Sequence, residues 1–311
     1  MDKLAFVFSG QGAQYPGMGQ TLYQNSEIFR AVFDRLDKLR PGLKELCFEG
    51  KPEDLALTIN AQPCLFAVGL AAAQALRSQG LVPSLLAGFS LGEVTALSFG
   101  GSFTEDEGFK FVCQRAEFMH STSQDKPGSM VVVLKMANEQ VEALCQEVGG
   151  VFPANYNCPG QLSVAGDIDQ LKIFSERVTE NGGRVIPLKV SGAFHTPFMD
   201  KAAEEISKVL SRYKLQAPEI PVYSNQTARP YGKNLRAALS GQVNHPVRWQ
   251  TSIENMIAAG ITAFVEVGAG GTLSGLIRKI NPNVKIINSE TLEGFQEAIA
   301  QFARTQAYAY R

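Results

Sequence analysis

The chain has 311 residues, of which 45% are hydrophobic, with 29 basic against 30 acidic side chains and a formal net charge of −1. Apolar material on that scale fills one large α/β body with an insertion, and the near-cancelling charge gives no single-sign field for nucleic acid or a membrane surface. The cysteines (Cys47, Cys64, Cys113, Cys145 and Cys158) are scattered, without C-x-x-C spacing, which argues against a disulfide frame or a zinc site and fits a reducing compartment.

Leu4–Phe8 is a short apolar run that reads as a buried strand. It is too short for the apolar core of a signal peptide, and G-Q-G follows almost at once. No stretch approaches the roughly 18 consecutive apolar residues of a membrane span. The expectation is therefore a soluble, cytoplasmic protein. The strand ends in S-G-Q-G-A-Q, where Gly10 and Gly12 let backbone pass close to a neighbour and Gln11 projects between them. A dinucleotide loop would need its third glycine elsewhere and an acidic residue after a second strand. Gly17–Asn25 and Ser26–Leu39 read as helices, the second with Ile28, Val32, Phe33 and Leu36 on one face. Ala61–Gln79 is an alanine-rich apolar helix expected in the core, with Gly80 closing it.

Leu85 to Ala96 reads L-L-A-G-F-S-L-G-E-V-T-A and holds G-x-S-x-G at Gly88, Ser90 and Gly92. Ser84–Ala87 suits a buried strand and Glu93–Phe99 a short helix, the context of a nucleophile elbow. So sharp a turn leaves no room for side chains beside the serine, hence the glycines. It lifts the Ser90 hydroxyl out of the sheet, above the unpaired N–H groups and positive dipole end of a helix. A developing oxyanion is stabilised there. The pattern alone also arises by chance in a glycine-rich chain; the strand and helix around it give it weight.

Gly100 and Gly101 end the elbow helix, and Thr104 with Glu107 makes a capping-box pattern that opens the next. That helix runs to Ser121 and carries Arg115, which from the helix alone reads as a snorkelling surface residue. Then follow a strand (Ser129–Met136), a helix (Asn138–Val148), two strands (Val151–Asn157, Gln161–Ala165), a helix (Asp167–Asn181) and a strand (Arg184–Val190). The order βαββαβ is the ferredoxin-like pattern. Residues 125–191 are read as this inserted subdomain, and 1–124 with 192–311 as an α/β hydrolase-like core. His195 comes directly after the insertion; standing alone it would read as a core or capped histidine. With an elbow serine upstream, the order serine then histidine matches hydrolase-type chemistry. Helices are expected at Met199–Tyr213, Arg236–Gln242, Thr272–Ile280 and Leu292–Thr305, and strands at Pro221–Ser224, Thr262–Val267 and Asn283–Ile287. The alternation implies a mostly parallel sheet covered on both faces.

Several motifs then fall in one order: G-Q-G-A-Q at 10–14, G-F-S-L-G at 88–92, Q-R-A-E-F-M at 114–119, N-Y-N at 155–157, G-A-F-H at 192–195 and E-V-G at 266–268. Together they resemble malonyl-CoA:acyl carrier protein transacylase over nearly the whole chain, the ferredoxin-like insertion included. The resemblance implies that Ser90 is the nucleophile that becomes malonylated. It makes His195 the general base and then the acid that protonates the departing thiol. Gln11 and the Leu91 backbone N–H become the oxyanion hole, and Arg115 the partner of the free malonyl carboxylate. The backbone carbonyl of Gln242 takes the place of a triad carboxylate in orienting the histidine. Asn155 and Asn157 line the cleft, and Met119 and Phe194 contribute to substrate binding, Phe194 fitting a malonyl-type pattern. The implied reaction is ping-pong, from malonyl-CoA to the phosphopantetheine thiol of holo acyl carrier protein, with no metal or redox cofactor. Chemistry agrees with the arginine: malonyl differs from acetyl by one carboxylate, which a guanidinium holds bidentately. An arginine buried without that partner is costly, so substrates lacking the carboxylate are disfavoured.

Two other readings stand beside this one. A lipase-type serine hydrolase shares the elbow and the Ser–His order but wants an H-G-G-G-like loop, which is absent, and an acid between them, for which Asp167 and Asp169 sit in the wrong subdomain. A non-catalytic carrier-docking module would not need Ser90, His195, Gln11 and Arg115 together. Fatty acid and polyketide synthesis both remain open as the destination of the acyl group. No long apolar stripe is left over, so a monomer is expected.

Overall fold

The computed structural model describes residues 3–190 and 192–303. The chain begins with β1 (Leu4–Phe8), α1 (Gln20–Asn25), α2 (Glu27–Leu39), α3 (Leu43–Glu49), α4 (Pro52–Ala56) and α5 (Thr58–Ser78). It continues with β2 (Leu85–Gly88), α6 (Leu91–Phe99) and α7 (Glu105–Asp125). A second group comprises β3 (Ser129–Leu134), α8 (Asn138–Val148), β4 (Val151–Cys158), β5 (Gln161–Gly166), α9 (Ile168–Glu180) and β6 (Arg184–Pro187). The chain then adds α10 (Asp200–Leu210), β7 (Val222–Tyr223), α11 (Leu235–Ser240) and α12 (Trp249–Ala258). It closes with β8 (Ala263–Val267), α13 (Thr272–Ile280), β9 (Lys285–Asn288) and α14 (Leu292–Ala298).

The larger sheet is parallel, in the order β7-β2-β1-β8-β9. Every residue of β1 and β8 is buried, as strands covered on both faces must be. Side chains alternate across the sheet. Leu4, Phe6 and Phe8 enter the core built with α2, α5, α6 and α7, whereas Ala5 and Val7 face Trp249, Ile253 and Ile277 from α12 and α13. Helix α5 is long and apolar enough to cross a membrane by composition; here α2, α6, α7 and β8 pack around it. Pro63 inside it leaves the Ile59 carbonyl without a helical donor, and the Arg40 guanidinium donates to that oxygen at 2.8 Å.

The smaller sheet is antiparallel, in the order β4-β5-β3-β6, with α8 and α9 packed on one face, Phe174 and Val178 of α9 clustering with Val131, Val133 and Leu162 of the strands. Its elements follow one another as βαββαβ, the succession read from the sequence. Backbone stitches β4 to the larger body: Val247 N–H donates to Ala154 O at 2.8 Å and Tyr156 N–H to Val247 O at 2.9 Å.

Differences from the sequence reading are local. Helices α3, α4 and α12 were not expected. The first two are one or two turns long and carry too little period to see, and α12 has no side-chain cap at its start. Strand β6 stops at Pro187, which has no N–H to extend the ladder. After Ser240 the helix tightens into a short 3₁₀ turn, Gly241–Asn244, and after Ala298 a wider turn, Ile299–Ala303, follows. Residues 304 and 305 of the last expected helix lie outside the described residues.

Candidate active site

Close backbone approach explains the glycines of the elbow. A Cβ on Gly88 would lie 1.9 Å from the Gly92 carbonyl carbon, and one on Gly92 would lie 2.1 Å from Phe8 O. Gly10, in the loop after β1, would bring a Cβ to 2.4 Å from Phe89 O. The β1 loop and the elbow therefore touch through backbone alone. Ser90 itself has φ 52° and ψ −102°, a conformation a non-glycine residue holds only when its surroundings impose it.

Ser90 Oγ lies 2.7 Å from His195 Nε2, and His195 Nδ1 lies 3.0 Å from the Gln242 carbonyl oxygen. A carbonyl can only accept, so Nδ1 carries the proton and Nε2 presents its lone pair to the serine. His195 is 3% exposed. Burial, reinforced by the Arg115 charge, pulls its pKa down to about 4, so it is a neutral base at pH 7. The His195 N–H is fixed by Val243 O at 2.9 Å.

Arg115 is 1% exposed, which overturns its reading as a snorkelling surface residue. Its Nη1 donates to Gln62 Oε1 at 2.6 Å, and its Nη2 to Gln242 Oε1 at 2.7 Å and Ser90 Oγ at 3.2 Å. All three acceptors are neutral. No ion pair among the described residues includes Arg115. Burial lowers its pKa to about 10, which leaves it cationic at pH 7. A guanidinium has five donors; those not engaged here, and the one on Ser90, are available to an anion beside the nucleophile.

Sequence reasoning missed four residues of this site: Gln62, Glu93, Asn225 and Tyr231. Asn225 clamps the elbow from both sides, accepting from Ser90 N–H at 2.7 Å and donating to Gly88 O at 2.6 Å. Glu93 Oε1 accepts from Asn225 N–H at 3.0 Å and Tyr231 O–H at 2.5 Å, and its Oε2 from Gln242 Nε2 at 2.6 Å. Burial pushes the Glu93 carboxyl up to about 7 against those donors. Gln62 had a signal: a glutamine within the apolar run of a core helix must be paired when buried.

The Leu91 N–H, first in α6, has no protein acceptor among the described residues, nor has the Gln11 N–H. The Gln11 side chain does not project freely; it donates to Thr58 Oγ1 at 3.1 Å. A cleft of about 270 Å³ reaches the elbow at Phe89 and the Gln11 loop, with Asn155, Asn157, Ser163 and Leu276 along its walls. Asn157 donates to Ser163 Oγ at 3.0 Å, while buried Asn155 Oδ1 has no partner among the described residues. Met119 and Phe194 are buried and stand back from this cleft: Met119 Sδ lies 3.4 Å from Gln62 Nε2, and Phe194 belongs to the main core.

Residues 5–309 match the acyl transferase domain family. A malonyl CoA-acyl carrier protein transacylase of Bacillus subtilis is 38% identical over 304 residues, covering 94% of this chain and 96% of that protein. The crystal structure of a malonyl CoA-acyl carrier protein transacylase from Clostridium perfringens superposes with a TM-score of 0.94 at 35% identity, over 99% of this chain and 100% of that one. A malonyl-transacylase solved in complex with a holo type II PKS acyl-carrier protein superposes with a TM-score of 0.93 at 29% identity, over 96% and 99%. The chain belongs to the acyl transferase family, within its malonyl CoA-acyl carrier protein transacylase branch.

Proposed function

We propose that the chain transfers a malonyl group from malonyl-CoA to the phosphopantetheine thiol of acyl carrier protein through a malonyl ester on Ser90. The observation that carries this reading is Arg115, a buried cation with only neutral partners, 3.2 Å from the Ser90 hydroxyl. The Glu93 carboxyl acts on this charge only from across Gln242, and a buried charge without a directly bonded counter-ion is expensive. A substrate carboxylate removes that cost, and acetyl-CoA does not.

Ser90 Oγ attacks the thioester carbonyl while His195 Nε2 takes its proton. The oxyanion forms over the free N–H groups of Leu91 and Gln11. The C–S bond breaks and the imidazolium returns the proton to the CoA sulfur. The carrier thiol then gives its proton to His195 and attacks the ester, and Ser90 leaves reprotonated. Gln242 O holds the imidazole in the required tautomer throughout, as a triad carboxylate does elsewhere. The polar cleft wall at Asn155 and Asn157 suits the amide-bearing pantetheine arm. Residues 125–191 serve as an inserted subdomain over the core of 1–124 and 192–311, with backbone pairing at Val247 fixing its position. We place the protein in the cytoplasm as a monomer. Its five cysteines, all free thiols, agree with a reducing compartment.

The test is intact-protein mass after brief mixing with malonyl-CoA, acetyl-CoA in parallel, then holo carrier protein. A malonyl adduct on the Ser90 peptide, discharged onto the carrier thiol, is expected. An adduct that water clears as fast as the carrier does would make the chain a thioesterase-like hydrolase.

A further inference from the structure

Glu93 sits at the third position of α6, where a capping-box glutamate turns back to the N-cap N–H. It does not do so here. The N-cap N–H, that of Ser90, goes to Asn225 Oδ1 instead. The Glu93 carboxylate accepts from donors more than 130 positions away, on the segments that carry Asn225, Tyr231 and Gln242. Glu93 is 0% exposed, so each of these bonds is made in a place water does not reach.

The consequences converge on Gln242. Its amide nitrogen donates to Glu93 Oε2 at 2.6 Å and Ser90 O at 2.7 Å. An acceptor on that side settles which way the amide faces, so its oxygen is turned to Arg115 Nη2 at 2.7 Å. Its backbone oxygen holds His195. One residue thus touches the nucleophile's carbonyl, the base and the arginine, and its amide nitrogen is held by Glu93 Oε2 together with Ser90 O and, at 3.3 Å, Asn225 Oδ1. Asn225, held through its N–H by the same carboxylate, grips the strained Ser90 from the other side.

We propose that Glu93 is a positioning residue for acyl transfer: acting through Gln242 and Asn225, it locks Ser90, His195 and Arg115 in one arrangement. The proposal rests on the acyl-transfer reading above. A purely structural carboxylate would affect how much protein folds, and not how fast or how selectively each folded site works.

The test uses the full chain and three variants, Glu93→Gln, Tyr231→Phe and Asn225→Ala. The fraction of active sites is counted from the malonyl-Ser90 adduct by mass. Acylation rate per active site is then measured with malonyl-CoA and acetyl-CoA, resolved into kcat and KM. Glu93→Gln puts an amide where only acceptors serve, so Gln242 can turn and its oxygen leave Arg115. Misplacement on that scale costs about 10- to 100-fold in rate, so kcat per site should fall by that factor and the preference for malonyl over acetyl should shrink. Asn225→Ala should lower kcat with the preference kept, because it loosens Ser90 and takes from Gln242 only its longest bond, at 3.3 Å, leaving those to Glu93 and Ser90 O. Tyr231→Phe, which removes one donor and leaves the Gln242 bond, should lower kcat only a few-fold. Normal kcat and normal preference per active site in Glu93→Gln overturn the proposal. Should that variant not fold, an Asn225→Ala enzyme with wild-type kcat per site overturns it equally. Absence of any adduct in the wild-type protein refutes the acyl-transfer reading itself and is seen before any variant is made.

Discussion

Two helix N-termini flank the central strand of this molecule, and they are treated oppositely. Strands β2 and β8 both pair in parallel with β1, and each feeds a helix through a glycine-bearing turn. At the start of α13 an acid fills the terminus from within: Glu266, on β8, accepts from Leu273 N–H at 3.0 Å and Ser274 N–H at 2.7 Å. At the start of α6 the Leu91 N–H is left open, and the nearest acid, Glu93, is turned away to Asn225, Tyr231 and Gln242. Helix dipoles alone do not make a site. A site arises where the fold declines to fill the terminus and sets a nucleophile over it.

The largest expected effect removes that nucleophile. Ser90→Ala should abolish the malonyl adduct in intact-mass measurements, and an adduct that survives would move the nucleophile elsewhere. His195→Ala should slow acylation by about 10²- to 10⁴-fold, the usual contribution of a positioned general base; a stopped-flow rate near wild type reassigns the base. Next comes Arg115→Ala. Charged hydrogen bonds contribute about 1.5–3 kcal/mol each, so losing a bidentate pair should cut the malonyl-to-acetyl preference roughly 100-fold or more while sparing acetyl transfer. Equal loss on both donors would make Arg115 structural.

The E-V-G motif at 266–268 entered the sequence reading only as part of a resemblance; the structure gives its glutamate the task of closing α13. The layout of strands and helices was legible because period-2 and period-3.6 patterns survive burial. So was the elbow, whose glycines answer to steric contact within a few residues. Glu93, Asn225 and Tyr231 were not, because their partners lie more than 130 positions away and carry no local pattern. Arg115 read wrongly from its own helix for the same reason: what buries it is Gln62 on α5 and Gln242 beyond the insertion.

Acidity separates the groups under the open terminus. His195 has its pKa pulled below the ordinary 6.5 to about 4 by burial and the Arg115 charge. The neutral imidazole is the working base, so kcat/KM for acylation should persist through pH 6.5 and collapse only as pH falls through about 4. The same shift bears on stability: the unfolded chain takes up this proton first, so the contribution present above 6.5 is lost between 6.5 and 4. A shoulder near pH 7 that disappears in Glu93→Gln would belong to Glu93, whose carboxyl burial raises to about 7.

The smallest effect should come from the closed terminus. Glu266→Gln keeps size and shape but turns one acceptor into a donor facing a backbone N–H. An unsatisfied buried group of this kind costs about 1–3 kcal/mol, visible as a fall of a few degrees in Tm. Catalysis per active site should be unchanged, because the bonds of the Glu266 carboxylate go to the backbone of α13 and not to Ser90, His195 or Arg115. The same exchange at Glu93, an equally buried acid at the other terminus, should do the reverse, with its loss falling on rate and selectivity at each site. If Glu266→Gln instead lowered kcat per site as Glu93→Gln is expected to, the two termini would not differ in kind. The turning of Glu93 away from the start of α6 would then no longer explain why the chemistry sits at β2 and not at β8.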